Sequence, residues 1–236
     1  MIWFLVASIV GNQLKFPGPV ETIKVLFSRV IAGDGFLMTV GASLFRIITG
    51  LAMAFIAGLV TGIPAGLSKG FSDFMDPVVT VMKSTPVMSF IILAMIWFRF
   101  STVPLIICFM MCFPVIYQNS REGLLNTDEK LVRMAQLYKV SKRKIMTGIY
   151  LKSMKPYINS AMGICLGLAF KVTVAAEVLA SPDYGIGSRL YDAKIYLEPV
   201  EVFAWTFIIL LLSYLLEQLL RLLFRDRRKG RLEDAD

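Results

Sequence analysis

The sequence contains no histidine. That removes the side chain most used for general acid–base work near neutral pH and the commonest nitrogen ligand for metals. Cysteine is scarce. Its three copies, Cys108, Cys112 and Cys165, all fall inside apolar stretches. The i,i+4 pair Cys108–Cys112 has no histidine or carboxylate beside it, so buried apolar thiols are expected rather than a metal site. No G-x-x-x-x-G-K-[ST] stretch occurs, so this chain cannot cradle ATP phosphates in that manner. No Ser-x-x-Lys nucleophile stands in an active-site context. These gaps disfavour an integral-membrane enzyme and leave a carboxylate pair as the enzymatic route still open. The short alternating segments of a membrane β-barrel are missing too.

What is present is apolar. The chain is 56% hydrophobic with a mean hydropathy of +0.68. A soluble protein of this size could not hide that much apolar surface, so an all-α integral membrane fold with several spans is expected. Helical spans are read at Leu44–Leu67, Val78–Trp97, Thr102–Gln118, Tyr157–Ala180 and Val200–Phe224, each near the roughly 20 residues that a bilayer requires. Met1–Val10 is apolar but too short to cross alone, and as a signal-peptide core it lacks a basic residue ahead of it. A partial or tilted first helix over 1–14 is expected, then an external link over 15–36 containing Pro17 and Pro19. The whole chain reads as one transmembrane domain. Spans two to four occupy 37–120, a helical loop 121–155, spans five and six 156–224, and a tail 225–236.

Charge sets the expected orientation. Acidic residues number 17 against 25 Lys and Arg, a formal net charge of +8. The surplus collects in the loop Arg121–Lys155 and in the tail Arg221–Arg231, while the opposite side holds Lys15, Lys24, Arg29, Arg99, Arg189 and Lys194. The positive-inside rule puts the loop and the C-terminus in the cytoplasm. The positive charge is thus attributed to topology and to anionic membrane lipid, not to nucleic acid. Trp3, Trp97, Phe98 and Trp205 read as anchors at the membrane interfaces.

The basic loop has internal order. Asn126 can cap a helix, with Glu129 three residues on as in a capping box. Leu131, Ala135 and Tyr138 fall near one face. A turn follows at Lys139–Val140, and Ser141 can cap a second short helix with Ile145 and Ile149 at i,i+4. Pro156 would stop this helix or open the next. The stretch MAQLYKVSKRKI also resembles a DNA-binding helix-turn-helix, but spans tether the loop at both ends and leave no room for a three-helix core. The blander reading is a solvated basic loop that only sets topology.

The loop resembles the coupling loop of type I ABC importer permeases, whose pattern is Glu-Ala-Ala, three residues, Gly, nine residues, Ile-x-Leu-Pro. Ala135, Ile149 and Leu151 match. Arg133 stands for the Glu, Met134 for the first Ala, Lys139 for the Gly and Lys152 for the Pro. From about Phe16 to Phe224 the chain resembles the nitrate/sulfonate/taurine-type permeases, through PGPVETI, SLFRIITGLAMAFIAGLVTGIPAGLSKG, PYINSAMGICLGLAFKVTVAAEVLAS and GIGSRLYDA. The resemblance implies a permease subunit, expected as a homodimer, with a separate ABC ATPase subunit gripping the loop through Arg133, Ala135, Lys139, Ser141, Ile149 and Leu151. It implies an extracytoplasmic substrate-binding protein near the loop Ser181–Pro199, and a small anionic solute such as a sulfonate or nitrate. No cofactor is expected on this chain; ATP and Mg would be used by the ATPase. It also allows Met1–Val10 to be the tail end of a first span.

Two further patterns stand out. Gly50, Ala54, Gly58, Gly62 and Gly66 put a small residue at every fourth position of one span, which lets helix backbones approach closely. Such a stripe drifts about 40° per step, so it must meet more than one neighbour or a crossing partner. Pro64 is expected to kink or end that helix. Arg46, on the same span, either snorkels to the interface or lines the outer mouth of a pathway. Lys171 lies midway along its span, with Gly163 and Gly167 at i−8 and i−4, so it should face a close helix or a cavity. Either it pairs with an acid, Glu177 being a candidate counter-ion, or it offers charge to an anionic solute. A secondary transporter or a channel-like protein without an ATPase is the competing function. No repeat of the kind common in secondary transporters is visible.

Overall fold

The computed structural model describes Trp3, residues 17–32 and residues 35–224. Among these residues every regular element is a helix and no strand occurs. Four helices are long and apolar enough to cross a membrane, or five if one bent pair counts as a single span. The chain is an all-α membrane protein. The expected first helix over 1–14 and the tail over 225–236 lie outside the described residues, Trp3 excepted.

Helix α1, Pro19–Ala32, occupies most of the expected external link. Pro19 is its first residue, where a missing N–H costs nothing. Helix α2, Phe36–Leu67, is longer than its apolar run. It carries Pro64 inside its last turn and ends three residues later, where the Ser68 amide bonds the Pro64 carbonyl at 2.9 Å.

The expected single span Val78–Trp97 is instead two helices, α3 (Lys69–Ser84) and α4 (Val87–Trp97), bent by 101°. Thr85–Pro86 causes the break. Proline has no amide to donate, and its ring drives the preceding residue out of the helical region. Thr85 accordingly sits at φ −76°, ψ 130°. Helix α5, Val103–Leu125, runs seven residues past its apolar segment. A short helix α6, Glu129–Leu137, and one turn α7, Lys142–Ile145, follow. A π-helical turn, Met146–Tyr150, then leads into α8, Leu151–Ala180. Pro156 therefore neither stops one helix nor opens another. It lies inside α8. The carbonyl it leaves unbonded, four residues back, belongs to exposed Lys152. Helices α9, Ile186–Ile195, and α10, Pro199–Phe224, complete the chain. Trp3 stacks on Phe203 of α10, and α1 packs on the same helix.

Helix α5 is the centre of the bundle, between α2 and α8. A Cβ added at Gly50 would lie 2.8 Å from Cys108 Cβ, at Gly58 2.7 Å from Ile116, at Gly62 2.6 Å from Ser120 Cβ, and at Gly66 2.7 Å from Leu124. All four glycines thus meet one helix, the crossing partner. Both helices advance in steps of four and in the same direction. A four-residue step exceeds the 3.6-residue turn, so the pair wraps right-handedly and the stripe stays on its partner. Helices α5 and α8 run antiparallel: Gly123 abuts Met154, and Cys112 and Cys165 each point their thiol at the other's carbonyl at 3.6 Å. All three cysteines are free and buried.

Candidate functional site

At the basic end of the bundle, α6 stands apart. Its cap is Asp128, not Asn126: the Asp128 carboxylate accepts from the Lys130 amide at 2.8 Å, while the Asn126 amide donates back to the Glu122 carbonyl of α5. Glu129 pairs with Arg133 at 2.8 Å along the helix surface. No residue of α6 is buried. Leu131, Met134, Leu137 and Tyr138 are all exposed, Leu137 by 82%. Beneath the helix lies a cleft of about 370 Å³ lined by Val132, Arg133 and Gln136 with Gly66, Leu124, Leu125 and Tyr150. A nine-residue amphipathic helix cannot hold itself in water by propensity alone. Its exposed apolar stripe is the kind of face that a partner covers.

The turn after α6 depends on Lys139, whose φ is +54°. The Lys139 amide bonds the Gln136 carbonyl and the Val140 amide bonds Ala135, closing the helix end. The coupling pattern that the loop resembles has Gly at this position, the residue that a left-handed backbone favours. Ser141 begins α7 without a side-chain cap bond. Ile149 is half-buried in the π-helical turn, and Leu151 is exposed at the start of α8.

The opposite end holds a buried ionic knot. Glu177, fully buried near the end of α8, pairs with Arg46 of α2 at 2.7 Å. Its carboxylate also accepts from Ser43 Oγ at 2.8 Å and from the Gly187 amide at 3.0 Å. Arg46 donates to the Tyr184 carbonyl at 2.7 Å and to the Ser101 carbonyl at 3.0 Å. Ser43 Oγ in turn accepts from the Ile186 amide at 2.9 Å. The knot ties α2, α8, the turn before α5 and the start of α9. A Cβ on Gly185 would come 2.9 Å from the Glu177 carboxyl carbon, and one on Gly187 would collide with the Val174 carbonyl. Only glycine lets the chain close over the pair. Arg46 is thus not turned out to the interface, and Glu177 takes Arg46 rather than Lys171 as its partner.

Lys171 is exposed on the bundle. Gly163 and Gly167 precede it with nothing within 4 Å of an added Cβ. The three form an open stripe on α8, not a close helix–helix seam among the described residues. Sequence reasoning missed a second polar cluster between α3 and α5. There Asp76 accepts from Tyr117 at 3.2 Å and pairs with Arg121 at 3.4 Å. No group of His, Cys, Asp or Glu able to hold a metal occurs among the described residues.

Residues 54–229 match the family described as "Binding-protein-dependent transport system inner membrane component". The chain is 28% identical to an aliphatic sulfonates transport permease protein of Bacillus subtilis, covering 98% of this chain and 83% of that protein. It is 28% identical to the taurine transport system permease protein of Escherichia coli, covering 95% and 83%. It is 27% identical to a nitrate import permease protein of Synechococcus elongatus, covering 81% and 72%.

Proposed function

The chain belongs to the binding-protein-dependent transport system inner membrane component family, as a type I ABC importer permease of the nitrate/sulfonate/taurine kind, and from that premise we propose that it forms the translocation pathway for a small anionic solute and is driven by a separate ATPase subunit. It is a multi-pass protein of the bacterial inner membrane. The observation that carries the proposal is α6: an ordered, capped, wholly unburied helix with Leu131, Met134, Leu137 and Tyr138 facing outward. The excess of Lys and Arg supports a cytoplasmic place for this end and for the C-terminus.

In this reading two copies of the chain pair, and each α6 seats in a groove of one ATPase. ATP and Mg would be bound and used by the ATPase, whose closure would push on α6. Arg133, Lys139 and Lys152, replacing acid, Gly and Pro, call for a groove more acidic than usual. Lys171, Gly163 and Gly167 form the open α8 stripe that a homodimer would turn toward its shared pathway, and charge there suits an anion. The relatives named for sulfonate, taurine and nitrate support that solute class.

The test is purification of a complex through a tag on this chain after gentle solubilisation. An ATPase subunit should accompany the wild type and be lost with Leu137→Asp. If none accompanies the wild type, a transporter or channel without an ATPase becomes the better reading.

A further inference from the structure

Helix α3 is lightly held. Among its 16 residues only Ser72 and Val79 are buried. Its backbone leaves the helical region at both ends, at Ser68 (φ −132°, ψ 116°) and at Thr85 (φ −76°, ψ 130°). The helix thus has a joint on each side about which it can turn as one body. What fixes it to α5 is a polar seam centred on Asp76. Oδ2 accepts from Ser72 at 3.2 Å, and Oδ1 accepts from Tyr117 at 3.2 Å and from Arg121 Nη1 at 3.4 Å. Two turns on, Lys83 donates to Gln118 at 2.7 Å. All three bonds to Asp76 are long for a carboxylate, whose charge-assisted bonds run at about 2.7–2.9 Å from nitrogen and about 2.5–2.7 Å from oxygen. Arg121 is underused as well. It meets Asp76 end-on through Nη1, while its Nε–H is buried and has no acceptor among the described residues. Buried donors are normally satisfied, and arginine grips a carboxylate best with two parallel bonds from its Nε edge. The two side chains are 31% and 40% exposed, so neither is locked in place.

We propose that Asp76 is a positioning residue of the transport cycle. Its carboxylate moves between the end-on contact seen here and a side-on fork with the Nε edge of Arg121, and so turns α3 against α5 when α6 is loaded. The inference rests on the proposed function for the ATPase that supplies the load. Arg121 sits where that load arrives. It lies one turn from the end of α5, and the chain re-enters a helix at Glu129 of α6. A Cβ on Gly66 would lie 3.2 Å from the Arg121 carbonyl, so the end of α2 that leads into α3 rests on the same turn. The end-on and side-on arrangements are discrete, one bond against two, and the second satisfies the Nε–H that the first leaves orphaned. A tie that served stability alone would hold the fork throughout. The Thr85–Pro86 break at the far end lets α3 turn without α4 following as one rod.

The test uses the full complex with its ATPase in nanodiscs and a trifluoromethyl thiol probe on Thr80→Cys, an exposed position of α3. The three native cysteines are buried. Fluorine NMR should show one environment without nucleotide and a second when ATP is trapped with vanadate. Asp76→Asn loses the charge, and Arg121→Lys keeps the charge but has no fork. Each should hold the probe in the first environment under both conditions. Each should also cut the solute taken up per ATP hydrolysed about tenfold, with the unfolding midpoint and the recovery of the ATPase at wild-type values. If Asp76→Asn does not assemble, Arg121→Lys carries the same comparison. The inference is overturned, and the importer reading left standing, by a probe that ignores trapping in a wild-type complex that hydrolyses ATP. Normal uptake per ATP by the Arg121→Lys complex overturns it equally. If Arg121→Lys lowers the unfolding midpoint while the probe still moves, the seam is a static tie and the inference falls. If no ATPase accompanies the wild type, the importer reading falls and takes this inference with it.

Discussion

Cutting the Arg46–Glu177 pair should cost more than any single change to the basic loop. Arg46→Met leaves a fully buried carboxylate with the Ser43 hydroxyl and the Gly187 amide but without its cation. Stripping one partner from a buried pair costs about 3–5 kcal/mol, because the remaining charge stays desolvated. Glu177→Gln is milder. Its amide oxygen still accepts from Gly187, and Arg46 keeps the Ser101 and Tyr184 carbonyls. About 1.5–3 kcal/mol is expected for the lost charged bond. The double variant removes both charges and should fall short of the sum of the singles by at least about 1.5 kcal/mol. Thermal unfolding in detergent, read as loss of the monodisperse peak on size exclusion, measures all four proteins. Arg46→Met should lower the midpoint by on the order of 10 °C. If the singles add, or Arg46→Met moves the midpoint by less than about 2 °C, the pair is not the tie described here.

Four other outcomes follow from the geometry. Gly62→Ala puts a methyl 2.6 Å from Ser120 Cβ and 2.8 Å from the Tyr117 carbonyl, so the α2–α5 seam must open; about 1–3 kcal/mol of destabilisation is expected in the same unfolding assay. Lys139→Gly should stabilise the loop by about 1 kcal/mol by relieving its left-handed backbone, and Lys139→Val should destabilise it, as hydrogen exchange across α6 would report. Leu137→Asp should leave the unfolding midpoint in place, since α6 has no buried residue, while abolishing recovery of the ATPase in pull-down. Lys171→Met should also spare stability but cut solute uptake in vesicles that hold normal amounts of protein; undiminished uptake would remove Lys171 from the pathway.

The spans were legible because apolar length is a local property, and bilayer thickness turns it directly into a helix. The bend at Thr85–Pro86 was written in the sequence as well, but the run Val78–Trp97 is apolar over most of its length, and that length concealed the break. Capping was readable only to within two residues: Asn126 and Asp128 both suit the role, and the path of α5 decides between them. The knot was not legible. Arg46 and Glu177 are 131 residues apart, and no local pattern pairs them. Glu177 and Lys171 shared a helix and invited pairing, yet Glu177 turns inward to α2 while Lys171 turns out. The same rotation explains the α8 glycines. In α2 the four-residue step finds a partner with the same step, whereas in α8 the stripe meets nothing among the described residues.

The two ends of the molecule are joined by one element. From Lys142 to Ala180 the chain is a single helical run of 39 residues. At the usual helical rise that is about 58 Å, more than the thickness of a bilayer core. The run starts three residues after the Lys139 turn that ends α6, and Glu177 sits in its last turn. The irregular stretch between is the π-helical turn Met146–Tyr150, close to the basic end. Beyond that turn, Met154 is locked on Gly123 and Cys165 on Cys112, so α8 moves with α5. A load placed on α6 therefore has two places to go. It can be absorbed as rotation at the π turn, or it can reach the knot and, through the Ile186 and Gly187 amides, α9. Rigid close packing along α5 and α8 favours the second route, because a packed core shifts between discrete arrangements rather than deforming smoothly. In the proposed reading, a run that starts just past the α6 turn and ends on a buried ion pair would carry displacement from one end of the bundle to the other, with the π turn setting how much is lost on the way.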